Sequence, residues 1–219
     1  MSEASSRYPK RSAHAAKTRA AIISAATESF AEAGYSATTM KAIAARAGVS
    51  VESVYLTGSK SALLATAMTV AFAGAEGERP LSEEPEYAAV FAVEDVGEAL
   101  EKYVELVGAS IARSDALWRT ARAAADVEPD IRRLLDDALA RRRSDLAMAG
   151  PWLVSRGAIA PADVDDVNAT MSVLVSHEVY EHLVDEFGWS LDRYAAWLKD
   201  AIRTLILERP VRLPDRSES

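Results

Sequence analysis

Thr38-Thr39-Met40-Lys41-Ala42-Ile43-Ala44-Ala45-Arg46-Ala47-Gly48-Val49-Ser50-Val51-Glu52-Ser53-Val54-Tyr55-Leu56-Thr57-Gly58-Ser59-Lys60 reads as two short helices joined by a tight turn. Thr38 can cap the first by accepting a backbone N–H two or three residues on. Ile43 and Ala47 lie one helical turn apart and give that helix a buried stripe, and Ala44 is small enough for a second helix to cross close above it. Gly48 follows where the chain must reverse and a positive φ costs glycine little. Val49 is expected to plug the corner and Ser50 to cap the second helix, which begins at Val51. A helix presented this way can enter a DNA major groove N-terminus first. An αα-corner inside an ordinary helical protein shares some of these features. The joint offsets favour DNA: small Ala44, Gly48 four later, Ser50 two after that, and apolar Val54 four beyond the cap.

The chain around this stretch has 219 residues, 49% hydrophobic, with no cysteine. It is long enough for one large or two small domains with a sizeable core. The absence of cysteine removes disulfides and Cys-ligated zinc and fits a reducing cytosol. No N-terminal stretch has the apolar core of a signal peptide, and no apolar run has the length to span a bilayer. The protein is expected to be soluble and cytoplasmic. Its net charge of −8 is unevenly spread: residues 1–60 carry eight Lys/Arg against four acids, and the rest carry 17 against 29. A head of +4 and a body of −12 orient a molecule toward phosphate. Basic tails on acidic bodies also occur without nucleic acid.

The organisation reads as all-α. Residues 1–14 form a polar, flexible basic arm. A first helix from about Ala15 to Ala33 carries Ile22, Ala26 and Phe30 on its core face, and Gly34 ends it. Ser59 caps a fourth helix bearing Leu63, Leu64 and Ala67 and fading near Gly74. Residues 75–92, with Pro80, Pro85 and five Glu, read as a solvated acidic loop with one short turn near Tyr87 to Phe91. Amphipathic segments follow at about 93–112, 114–126, 129–155, 162–187 and 190–207. Trp189, Ser190 and Tyr194 match a hydrophobic staple at the start of the last. The expected domains are the arm at 1–14, a helix-turn-helix domain at 15–60, a helical domain at 61–207 and a loose tail at 208–219.

The stretch Thr18 to Leu64 resembles the DNA-binding domain of the TetR (tetracycline-repressor) family. The matching residues are Phe30-Ala31-Glu32-Ala33-Gly34-Tyr35, Ala37-Thr38-Thr39, Ile43-Ala44, Ala47-Gly48-Val49-Ser50, Val54-Tyr55 and Ser59-Lys60 followed by Leu63-Leu64. More loosely, Glu178-Val179-Tyr180, Gly188-Trp189-Ser190 and Tyr194-Ala195-Ala196-Trp197-Leu198 look like the last two helices of some members. The resemblance implies a homodimer through the last two long helices, a ligand cavity in the C-terminal domain, and repression relieved by a small-molecule effector. One departure stands out. The family has an aromatic, mostly Phe, between the recognition helix and the Ser-Lys that opens the fourth helix. Here Tyr55-Leu56-Thr57 runs straight into Gly58-Ser59-Lys60. Either Leu56 fills the gap, or the recognition helix is mobile or re-angled and operator binding is weak.

Within this frame Lys41, Ser50, Ser53, Tyr55 and Lys60 are expected on phosphates, and Thr39 joins the DNA-facing set. Val51 can meet a thymine methyl, and Glu52 can accept from a cytosine amino group. Glu52 can equally do no more than favour the helix dipole. Arg7, Lys10 and Arg11 are either a minor-groove arm or a solvated tail. Tyr103, Trp118, Met148, Trp152, Met171, His177 and Tyr180 are the candidate ligand-binding residues, each with an alternative place in the core or dimer seam. His177 and His182 are five apart, which lacks the zinc spacing of four, so no metal is expected. No nucleophile–base pair or phosphate loop supports an enzyme, and no cofactor is implied. The expected partners are a double-stranded DNA operator, a small apolar effector and a second copy of the chain, with no membrane. A regulator of the same fold answering to a protein partner, or to no ligand, fits the residues almost as well.

Overall fold

A computed structural model describes the backbone of residues 7–77 and 80–208 and the side chains of residues 13–77 and 80–208. Among the described residues all regular structure is helical: α1 Arg7–Ala37, α2 Met40–Ala47, α3 Val51–Thr57, α4 Lys60–Ala73, α5 Pro85–Phe91, α6 Val96–Ala125, α7 Pro129–Leu146, α8 Ala149–Ser155, α9 Val164–Leu174, α10 His177–Tyr180 and α11 Leu191–Ile202. Helices α10 and α11 each run on into a wider i→i+5 segment, Glu181–Glu186 and Arg203–Glu208.

The chain forms two compact units. The first holds residues up to Gly77 together with Ala116–Asp136, and the second holds Glu78–Asp115 and the residues from Asp137 on. In the first, α1 packs on α2 and α4. Ile22, Ala26 and Phe30 of α1, Ile43 and Ala44 of α2, Val54 of α3, and Leu63, Leu64 and Ala67 of α4 are all buried. These are the apolar positions with helical spacing, so burial follows the periodicity. The Thr120 hydroxyl donates to the Phe30 carbonyl at 3.1 Å and ties the end of α6 to α1. Helix α4, expected in the second domain, therefore lies in the first unit, because its apolar stripe completes that core.

In the second unit, α8 and α11 both pack against α9. The core takes Tyr87 and Val90 from α5, Val104, Val107 and Ile111 from α6, Met171 and Leu174 from α9, and Tyr194, Leu198 and Ile202 from α11.

Several expected boundaries move. Helix α1 begins at Arg7 rather than Ala15, so Arg7, Lys10 and Arg11 are helical and not part of an arm; their side chains lie outside the described residues, as do residues 1–6 and 209–219. The stretch read as a solvated loop contains a 3₁₀ turn at Leu81–Glu83 and helix α5, because Tyr87 and Val90 face inward despite the surrounding Glu residues. No break occurs near residue 113: α6 is continuous, and the Ser114 hydroxyl bonds back to the Ser110 carbonyl at 2.8 Å inside it. Segment 129–155 divides into α7 and α8, and segment 162–187 divides before Ser176, whose side chain caps α10. Ser190 caps α11 as expected, but the Trp189 ring meets Trp197 edge-on.

The Tyr87 phenol donates to the Ser110 hydroxyl at 3.2 Å, and burial pushes its pKa up to about 12. Burial also raises Tyr103 and Tyr194. An unfolded tyrosine ionises near 10, so the unfolded chain loses its protons first as pH rises. Stability present below about pH 10 should be lost between about 10 and 12, on the order of 2–3 kcal/mol from Tyr87 alone. Thermal unfolding followed from about pH 8 to about pH 11 should show this loss, and Tyr87→Phe should flatten it. An identical pH profile for Tyr87→Phe would refute the assignment.

Candidate nucleic-acid interface

The interface is built from three consecutive caps. Thr39, not Thr38, caps α2: its hydroxyl accepts from the Ala42 N–H at 3.1 Å. Thr38 is buried, and its hydroxyl donates to the Ser29 and Gly34 carbonyls at 3.0 and 2.7 Å, so it fastens the α1–α2 corner instead. Thr39 is thereby spent on the helix, though it remains exposed. Gly48 follows α2 at φ 66, ψ 33, in the left-handed region, and its N–H meets the Ala44 and Ala45 carbonyls. Val49 is half-buried in the corner. Ser50 caps α3 by accepting from the Ser53 N–H at 3.1 Å, and the two hydroxyls lie 2.9 Å apart. Ser59 caps α4 by accepting from the Ala62 N–H at 3.2 Å.

These caps leave one side of α3 in the core and one side bare. Val54 is fully buried, while Val51 and Glu52 are exposed, Tyr55 is 63% exposed and Leu56 is 82% exposed. Val51, Glu52 and Tyr55, with the exposed Ser50 and Lys41, form the bare surface of this helix pair. Lys41 makes no ion pair among the described residues.

The other basic residues of the head are largely engaged. Arg46, in the last turn of α2, pairs with Glu32 and, at 3.3 Å, with Glu28. That hydrogen-bonded pair raises the Arg46 pKa and lowers that of Glu32. Arg19 pairs with Glu76 at 2.7 Å and donates to the Thr57 carbonyl at 3.4 Å, reaching the C-terminus of α3. Lys60, expected on a phosphate, has its ammonium 4.2 Å from the centroid of the Tyr35 ring and 3.5 Å from the Ser36 carbonyl. Burial lowers its pKa, opposed by the nearby Glu128 carboxylate. The ring of Tyr35, stacked on Phe30, thus holds Lys60 by a cation–π contact. Nothing in the one-dimensional pattern flagged Arg19 or Tyr35 as neighbours of this surface, because both come from α1.

The short junction after α3 closes without an aromatic. Leu56 points outward and does not fill the gap. Gly58 is extended, its N–H donates to the Val54 carbonyl at 3.2 Å, and a Cβ there would lie 3.2 Å from Ala62 Cβ. Absence of a side chain at Gly58 lets the chain turn directly against α4. Helix α3 is regular from Val51 to Thr57, with Ser50 capping its start and the Gly58 N–H closing its end.

The candidate ligand residues are dispersed. Tyr103, Met148, Trp152, Met171, His177 and Tyr180 belong to the second unit and Trp118 to the first. Met148 is exposed at the α7–α8 junction. Trp152 donates its indole N–H to the Phe91 carbonyl at 2.9 Å, anchoring the end of α5. Met171, His177 and Tyr180 are buried. A cleft of about 460 Å³ in the first unit, lined by Gly34, Tyr35, Ala116, Arg119 and Thr120 among others, includes none of them. His177 Nε2 lies 3.0 Å from the Ser114 hydroxyl, and His182 Nδ1 lies 2.8 Å from Glu186. The two histidines thus have separate partners, and no group of three metal-binding side chains occurs among the described residues. No helix among them is long and apolar enough to cross a membrane.

Residues 22–67 match the family model of the bacterial regulatory proteins, tetR family. The chain carries a tetR-family domain. That match takes in the core half of α1, all of α2 and α3 and the first half of α4, which is the first unit's capped framework. No curated protein matches the chain. Solved structures are similar over most of its length. One is a protein from Saccharomonospora viridis assigned as a transcriptional regulator and bound to choline: 24% identity, covering 89% of this chain and 100% of that one, TM-score 0.66. A second, also assigned as a transcriptional regulator, is from Pseudomonas aeruginosa PAO1: 19% identity, 85% and 88% covered, TM-score 0.61. A linker-substituted mutant of HlyIIR is 16% identical, with 85% and 96% covered and a TM-score of 0.56. At these identities the likeness establishes a shared fold, tetR-like in its helix-turn-helix and all-α beyond it.

Inserting Phe between Thr57 and Gly58 should lower, not raise, the stability of the tetR-family domain, since it separates Gly58 from Val54 and Ala62. The expected loss is about 1–3 kcal/mol, the range for overpacking a closed contact. Chemical denaturation of both forms measures it, and equal or greater stability in the insertion would show that the junction had room.

Proposed function

We propose that the protein is a sequence-specific DNA-binding transcriptional regulator, a homodimer that reads a palindromic operator and is released from it by a small-molecule effector. The observation that carries this reading is the α2–Gly48–α3 corner with α3 bare on one side. Val51, Glu52 and Tyr55 stand out beside Lys41 and the N-terminus of α3, where base edges and phosphates are met. Thr39, Ser50 and Ser53 support that surface by fixing its helices. Arg7 and Arg11 add charge to the start of α1.

A single helix of seven residues gives too small a footprint for high affinity, so two copies are needed. Val173, Phe187, Leu191 and Leu205, all on or beside the last helices, are exposed apolar residues, and they fit a seam between two copies. Effector control rests on the second unit, with Tyr103, Met171, His177 and Tyr180 as candidate contacts; the choline of the Saccharomonospora structure is an example of a ligand in a similar fold.

An enzyme is the less favoured reading. Ser114 and His177, 3.0 Å apart, resemble a nucleophile and base, but both are buried, and the Ser114 hydroxyl also bonds the Ser110 carbonyl at 2.8 Å within α6, as a structural serine in a helix does.

Sedimentation should show a dimer at micromolar concentration, and operators selected from random DNA should be palindromic with half-sites about one helical turn apart. A monomer both free and on DNA would refute the dimer. Operator affinity should fall steeply with salt. Lys41→Ala should reduce the log–log slope by about one for each phosphate it ceases to neutralise. Lys60→Ala, whose ammonium is held by Tyr35, should lower the melting temperature and leave the slope nearly unchanged. A salt slope equally reduced by both substitutions would place Lys60 on the DNA backbone.

A further inference from the structure

Helix α3 carries more exposed apolar surface than its length accounts for. Nine large apolar side chains are exposed among the described residues, and three of them, Val51, Tyr55 and Leu56, belong to its seven residues. Leu56, at 82%, is the most exposed of the nine. A lone surface leucine is ordinary, but apolar side chains gathered on one short helix mark a binding surface.

The helix sets the order of these side chains. Each residue turns the chain by about 100°, so Glu52 and Leu56 both fall within about 20° of the direction opposite the buried Val54. They form the outermost ridge of α3, one helical turn apart, and both are exposed. Val51 and Tyr55 occupy one flank. Ser53 and Thr57, both half-buried, occupy the other, and they are engaged within the domain. The Ser53 hydroxyl lies 2.9 Å from that of Ser50, the Thr57 hydroxyl donates to the Ser53 carbonyl at 2.9 Å, and Arg19 donates to the Thr57 carbonyl at 3.4 Å. The junction closes at Gly58, whose N–H meets the Val54 carbonyl at 3.2 Å, and leaves Leu56 outside it.

The chemistry of the ridge is narrow. Between Val51 and Thr57 there is no Lys, Arg, Asn or Gln. The side chains that read guanine and adenine by paired hydrogen bonds are therefore absent from α3. Glu52 carries a carboxylate, which accepts and does not donate. It suits the amino group of cytosine, and it opposes the acceptors of guanine and the O4 of thymine. Leu56 offers only apolar contact, and the apolar group on a major-groove base edge is the thymine methyl. Four residues of helix advance about 6 Å and one base step about 3.4 Å, so the two bases met lie about two base pairs apart.

We infer, resting on the DNA-binding reading above, that Leu56 is a specificity-determining residue. It packs on a thymine methyl in each operator half-site, about two base pairs from a cytosine met by Glu52. Helix α3 thus selects its site by methyl and amino groups rather than by paired hydrogen bonds to purines.

The test starts from operators selected out of random DNA by the full chain. Each half-site should hold a cytosine and, about two base pairs away, a thymine. Replacing that thymine by deoxyuridine removes only the methyl group. Affinity should fall about fourfold for each half-site so changed, the factor carried by burial of one methyl group. Leu56→Ala should bind the thymine and uracil operators equally. Its melting temperature should match the parent's, because the deleted atoms are exposed. Selection repeated with Leu56→Ala should lose the preference at that base alone. Glu52→Gln should exchange the cytosine for adenine, which glutamine reads, and keep the thymine. The inference is overturned if the parent tells thymine from uracil nowhere in the half-site, or if Leu56→Ala discriminates between them as the parent does. Leu56→Ala that matches the parent on every operator would assign the leucine to a protein partner instead. A selected operator without thymine dependence removes only the role of Leu56, whereas selection that yields no operator for the parent removes the DNA-binding reading itself.

Discussion

The reversal at Gly48 is the constraint on which the first unit depends. Two helices as short as α2 and α3 have little stability of their own. They persist because the turn between them is nearly free of alternatives: Gly48 takes a left-handed conformation that a side chain would resist, its N–H closes the end of α2, and Ser50 immediately opens α3. Ile43, Ala44 and Val54 then reach one core against Ile22, Ala26 and Phe30. Were the turn wider, Val54 would leave that core and the bare side of α3 would lose its orientation.

Around this corner, polar contacts from α1 act as fasteners. Thr38 holds the α1–α2 loop to two carbonyls of α1, Arg46 joins the end of α2 to Glu28 and Glu32, and Arg19 reaches both the last carbonyl of α3 and Glu76. The Arg46 and Arg19 pairs are exposed, so each adds little stability by itself. Their effect is on direction: they fix where the termini of two short helices point. They also consume charge. The head has four more basic residues than acidic ones, but among the described residues the geometry spends Arg46 and Arg19 internally and turns Lys60 onto Tyr35, while Lys41 stays exposed on α2.

The second unit is organised differently. Its core combines aliphatic residues with buried tyrosines, serines, a histidine and two aspartates, Asp115 and Asp163. A unit meant only to fill space would be better served by apolar side chains, because buried polar groups cost free energy unless every one is paired. The burial of Tyr194 with an unpartnered hydroxyl is therefore the feature of this unit that most needs a reason beyond stability.

Much of the first unit is legible in sequence because its rules are local. Caps at Ser50 and Ser59, the glycine turn at Gly48 and the four-residue spacing of Ile22, Ala26 and Phe30 act over one or two helical turns, and the residues themselves enforce them. Even here a choice between adjacent threonines was beyond local rules: Thr39 caps α2, and Thr38 is drawn inward because the Ser29 and Gly34 carbonyls wait there. The same limit explains α5. An acidic, proline-flanked segment looks solvated until the core of the second unit takes up Tyr87 and Val90. The shortened junction at Gly58 closes locally, on Val54 and Ala62. The capture of Lys60 by Tyr35 was settled by tertiary structure alone, since it joins residues of α1 and α4 far apart in the chain whose approach no spacing rule encodes.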